Sequence, residues 1–199
     1  GMHNYSFTSL FRDRQHAVMN LLLRDTYDKY EVACRELFEG ERILMNFFRE
    51  AGMTVPNVFR AAAEFILSLD LRKAFSQDTL DANRIRGLVN EVEKWGLGYD
   101  TVQMETIIRK RLEGQMSLLQ ADPSDIALIE AVKMSAELSR LLPIEVNLWE
   151  VQNIYYSMAR SVYKNMVKEA SGNRPEAVQW VKAFVDLGEK LGFDIGSIP

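Results

Sequence analysis

The 199 residues are 47% hydrophobic and 26% charged with only 5 Pro and 11 Gly, which excludes collagen-like and disordered chains and leaves room for one folded domain with a sizeable core. Lys and Arg number 24 against 28 Asp and Glu, a net charge of −4 shared between both halves, so there is no basic field for DNA or RNA and no nucleic-acid partner is expected. A single cysteine, Cys34, forms neither an intramolecular disulfide nor a four-cysteine zinc site, no apolar run reaches the ~18 residues of a membrane span, and the N-terminus lacks the basic-then-apolar order of a signal peptide; a cytoplasmic chain without membrane contact is expected.

Helical periodicity dominates from the start. Between Thr8 and about Glu39 there is no Gly or Pro, and Met19, Leu23, Tyr27, Tyr30, Cys34 and Leu37 recur at steps of three or four, which predicts one buried helix face. Gly40 ends or bends this helix. Ile43, Leu44, Phe47 and Phe48 mark a shorter one stopped at Ala51-Gly52, and Pro56 opens a third with Val58, Ala62, Phe65, Ile66 and Leu69 inward and a polar opposite face.

Capping chemistry marks the later boundaries. Asp78 precedes a helix with Ile85, Leu88, Val89, Val92 and Trp95 on one side, closed by Gly96 and Gly98. Asp100 with Gln103 forms a capping-box pattern before Met104, Ile108, Leu112, Met116 and Leu119. Asp122-Pro123-Ser124-Asp125 offers an N-cap, Pro at the first helical position and acid in the first turn of a helix running to about Leu142. Pro143 breaks it. Asn147 with Glu150 caps the next, whose stripe includes Leu148, Val151, Tyr155 and Met158, and after Ser171-Gly172-Asn173 the last helix starts at Pro175 with Ala177, Val181, Phe184 and Leu191 inward. No alternating strand pattern and no hairpin dipeptide between apolar runs occurs, so the fold class is all-α: a bundle of about eight antiparallel helices in a single domain spanning 1–199.

Chemistry-bearing motifs are sparse. Neither His3 nor His16 has a Glu three residues before it, which removes the Glu-x-x-His pattern of di-iron bundles, and H-E-x-x-H is absent, so no metal ligand is assigned. Cys34 lies on the apolar stripe, where burial opposes thiolate formation. The glycines spell neither a Walker loop nor a dinucleotide fingerprint, and no cofactor is expected. Arg109-Lys110-Arg111 reads as a solvated face rather than an anion site. Glu64, beside Phe65 and the small run Ala61 to Ala63, is a candidate half-buried, paired carboxylate, against an exposed Glu at the edge of the stripe. The densest polar-aromatic cluster runs from Asn147 to Tyr156. There Trp149 and Tyr156 fall off the Leu148, Val151, Tyr155 stripe, and Gln152 and Asn153 place amides beside them, a combination suited to a sugar or a partner helix.

Three blocks, His3–Phe11 (HNYSFTSLF), Arg60–Arg72 (RAAAEFILSLDLR) and Asn147–Asn153 (NLWEVQN), together resemble the helical C-terminal region called domain of unknown function 3536, found after glycoside hydrolase family 57-like domains. The resemblance implies a helical piece of a larger carbohydrate-related protein that packs on a catalytic β/α-barrel domain. It carries over no catalytic residue, because the family's nucleophile and acid stand on a barrel and this chain has no β/α alternation. The expected function is therefore a non-catalytic accessory domain with Glu64, Trp149, Gln152, Asn153 and Tyr156 on its contact surface, the barrel domain as partner, and carbohydrate as a candidate ligand. Two rivals remain open: an independent helical module that associates with a second copy of itself through an apolar face, and a small enzyme built on Glu64.

Overall fold

The computed structural model describes residues 12–193, with side chains from residue 23 onward; His3 and the side chains of His16 and Met19 lie outside that range. Nine α-helices follow one another: α1 (Arg12–Gly40), α2 (Arg42–Glu50), α3 (Asn57–Phe75), α4 (Ala82–Trp95), α5 (Thr101–Ala121), α6 (Ile126–Ser139), α7 (Trp149–Met158), α8 (Lys164–Ser171) and α9 (Pro175–Lys190), among the described residues. A π-helical turn, Ala159–Tyr163, joins α7 to α8 without a break, so the continuous helical rods number eight. No strand occurs among the described residues, and the protein is an all-α helical bundle. No helix is long and apolar enough to cross a membrane.

The chain divides into two compact units, Gly1–Ile66 and Leu67–Pro199, with the division inside α3. In the first unit the predicted face of α1 is buried only at Cys34 and half-buried at Leu37, with Phe38, which the stripe omits, buried beside them, and Tyr30 meets Phe65 edge-on at 4.8 Å between ring centroids. Leu23, Tyr27 and Tyr30 are exposed, contrary to the single buried face the periodicity predicts. Periodicity reports that a face is apolar, and says nothing of whether another element lies on it. On α2, Met45 alone is buried, while Ile43, Leu44 and Phe47 face outward.

The second unit is built around α9, which packs on α6 and α8, while α5 packs on α6 and α7. Its core is a column of aromatic rings. Trp180 stacks on Phe184 at 4.7 Å, Phe184 on Tyr155 at 4.4 Å, and Tyr155 on Phe193 at 5.0 Å. The polar ends of these rings are satisfied inside: Trp180 Nε1 donates to the Pro123 carbonyl at 2.6 Å and the Tyr155 hydroxyl to the Phe184 carbonyl at 3.0 Å. Burial, with a smaller contribution from Tyr163, holds the Tyr155 hydroxyl protonated far above the ordinary phenol range. The π turn serves the same column. Its i→i+5 bonding delays the following residues by about one position and brings Tyr163 onto the buried side, 5.7 Å from Phe184.

Three helix starts differ from those predicted, α7 among them, whose cap position is Leu148 and not Asn147. Asp81, not Asp78, caps α4 by accepting from Arg84 N at 3.0 Å, and Asp125, not Asp122, caps α6 by accepting from Leu128 N at 3.0 Å. Asp122 instead folds the preceding turn by accepting from the Ser124 backbone N–H and hydroxyl. Helix α6 also stops at Ser139, short of Leu142. The cap at Asp100 stands as read, accepting from Gln103 N at 2.9 Å, but Gln103 spends its side chain on Arg72 rather than returning the bond. Gly96 closes α4 in the left-handed conformation at φ 58°, with Leu97 N donating to Val92 O and Gly96 N to Glu93 O, which only a residue without a Cβ adopts without strain. Replacing Asp125 by Ala is expected to lower stability by about 1 kcal/mol in urea unfolding, against about 0.5 kcal/mol or less for Asp122→Ala.

Candidate functional site

Helix α7 positions four of the five predicted contact residues. Trp149, Asn153 and Tyr156 sit at i, i+4 and i+7, and Gln152 at i+3, so all share one side of the helix, opposite the buried Val151, Tyr155 and Met158. Trp149 is 70% exposed, and Asn153 and Tyr156 are exposed with it. Arg160, one turn further on, carries its guanidinium 5.9 Å from the centre of the Tyr156 ring. Gln152 is half-buried and structural at its tip: its Nε2 donates to the Leu191 carbonyl at 2.9 Å and so fixes the end of α9 beside α7.

The start of this face is held by Asn147. Its Oδ1 accepts from Trp149 N at 3.0 Å, and its own N–H donates to Glu105 Oε1 at 3.4 Å. Glu105 forms one wall of a groove of about 420 Å³, with Thr101 and Val102 from the first turn of α5 and Pro143, Ile144 and Glu145 from the segment leading to α7. The groove combines an apolar floor with two carboxylates. Glu105 also accepts from Arg109 Nε at 3.0 Å, and the guanidinium's bond to the Glu113 carboxylate first, with the charge and bond of Glu105 next, raises the Arg109 pKa and keeps it protonated.

Glu64 stands apart in the chain, on α3 in the first unit. It is half-buried and does not line the groove of Tyr30, Ala33, Cys34, Leu37, Val58 and Ala61 nearby. Among the described residues no group of three His, Cys, Asp or Glu side chains is placed to hold a metal ion.

Arg111 is the residue the charge pattern misreads. Far from a solvated face, it reaches across to the end of α3 and donates to three backbone carbonyls: Phe75 at 3.3 Å, Gln77 at 2.5 Å and Asp78 at 2.8 Å. Its Nε donates to Ser135 Oγ on α6 at 3.1 Å. Burial lowers its pKa, with Asp78 opposing the effect. The signal was present in the spacing, since Met104, Ile108 and Arg111 stand at i, i+4 and i+7 and a cation on the buried stripe has to find acceptors inside.

No protein-family model, curated protein or solved structure matches the chain. An exposed indole, two amides, a phenol and a guanidinium along one helix make a surface for contact.

Proposed function

We propose that the chain is a non-catalytic helical accessory domain that docks on, or completes the cleft of, the β/α-barrel catalytic domain of a glycoside hydrolase family 57-like protein, with the α7 face as the contact. The observation that supports this reading is the exposure of Trp149 at the head of a face that also carries Asn153, Tyr156 and Arg160. Covering most of an indole releases on the order of 3 kcal/mol at ~25 cal/mol per Å², and Trp, Tyr and Arg are the residue types that dominate binding energy at protein interfaces. The amide of Asn153 and the carboxylates of Glu105 and Glu145 add donors and acceptors that a carbohydrate held at the same edge can use. The three sequence blocks that resemble domain of unknown function 3536 give the same partner, and the lone Cys34 fits a reducing, cytoplasmic setting.

Calorimetric titration of the chain with a separately produced barrel domain tests the reading. Binding that Trp149→Ala weakens at least tenfold, with helical content unchanged, is the expected result. Absence of binding, or binding indifferent to Trp149 and Tyr156, removes the α7 face from the function.

A further inference from the structure

Helix α1 carries an apolar seam whose N-terminal half no described element covers. Leu23, Tyr27, Tyr30, Cys34 and Leu37 follow at steps of four, three, four and three, the alternation that keeps one edge of a helix against another helix through several turns. At the C-terminal end the seam is occupied, with Cys34 buried and Tyr30 edge-on to Phe65. Toward the N-terminus every residue from Leu23 to Tyr30 is exposed, with Leu23 at 37%, Tyr27 at 59% and Tyr30 at 51%. A helix in water draws most of its stability from packing an apolar face, and among the described residues this stretch shows a ring contact only at its last residue, Tyr30 against Phe65.

Charge selects the occupant. With Tyr27 at heptad position a and Leu23 and Tyr30 at d, the flanking e positions are Arg24 and Glu31 and the g positions Thr26 and Ala33. In a parallel pair e faces g of the other helix, and both charges would meet uncharged residues. In an antiparallel pair with Tyr27 of one copy over Tyr30 of the other, e faces e, so Arg24 meets Glu31 twice across the two-fold axis, while Thr26 and Ala33 keep the opposite flank small. Glu31 already accepts from Arg35 in its own chain at 3.3 Å, and the incoming guanidinium would extend that pair into a three-membered network.

We propose that α1 associates with a second copy of this chain, antiparallel over residues 23–31, with the tyrosines interleaved and the Arg24–Glu31 pairs closing one edge. The inference uses the first unit alone and stands independently of the docking reading. Three seam residues and their flanks are far fewer than the ~20 residues per side of a standard interface, so the dimer is concentration-dependent rather than obligate.

Sedimentation velocity of the full chain over a wide concentration series tests the proposal. The expected result is a monomer–dimer equilibrium that Arg24→Glu or Glu31→Arg alone weakens about tenfold, because each places like charges together twice, and that the double variant Arg24→Glu/Glu31→Arg restores. Tyr27→Ser is expected to abolish it, and Trp149→Ala to leave it unchanged, which separates this proposal from the α7 face. Arg24, Tyr27 and Trp149 are exposed and Glu31 is half-buried beside Arg35 of its own chain, so the exposed Arg24→Glu variant carries the test where Glu31→Arg lowers helical content. A monomer at every concentration, a dimer indifferent to α1, or a double variant that stays weakened overturns the proposal.

Discussion

Replacing Trp180 by Ala is expected to lower the stability of the protein by about 4 kcal/mol, read from the midpoint and slope of urea unfolding. The ring is fully buried, and it is among the largest side chains in the core. Its removal leaves a cavity on α9, exposes one face of Phe184 to empty space, and deprives the Pro123 carbonyl of its indole donor. Trp180→Phe separates these effects. Phenylalanine keeps most of the stacking but leaves the carbonyl unpaired, so roughly half of the loss should persist. A loss under about 1 kcal/mol for the alanine variant would show that the aromatic column is not the mechanical centre of the second unit.

The second large effect is expected at Arg111. Its guanidinium takes the carbonyls of Phe75, Gln77 and Asp78 and thereby closes the C-terminal end of α3, where helical carbonyls have no intrahelical partner. Arg111→Met keeps the stem and removes the donors, leaving these acceptors and Ser135 without their partner at an expected cost of about 2–3 kcal/mol. Arg111→Lys should recover little of it, because one ammonium cannot span three carbonyls and a hydroxyl in the plane of a fork. Thermal unfolding of the two variants side by side is the check. Full recovery by lysine would mean that charge rather than geometry does the clamping.

These two residues also show where sequence reasoning reached and where it stopped. The helices themselves were legible, because apolar residues at steps of three and four are local and independent of the neighbours. The α7 face was legible for the same reason, as Trp149, Asn153 and Tyr156 fall off the stripe of Val151 and Tyr155. Boundaries were harder. Asp78 and Asp81, and likewise Asp122 and Asp125, offer two cap residues three apart, and the choice is made by tertiary contacts: Arg111 holds the carbonyl of Asp78, and Trp180 that of Pro123, so each preceding turn stays outside its helix. Trp180 and its neighbour Val181 both sit near the inward face, and only the packing of α9 decides that Trp180 is the buried one. The groove beside Asn147 was out of reach, because its walls come from the start of α5 and from Pro143 to Glu145, about forty residues on.

The π turn sets a limit on the α7 face. Up to Arg160 the outward residues keep α-helical spacing; past it the extra residue rotates the helix, and α8, which buries nothing, presents its side chains in a different direction. From Trp149 to Arg160 the usable ledge measures about 16 Å at 1.5 Å per residue. The helix thus carries its own ruler: a partner docked as proposed would read three turns and no more.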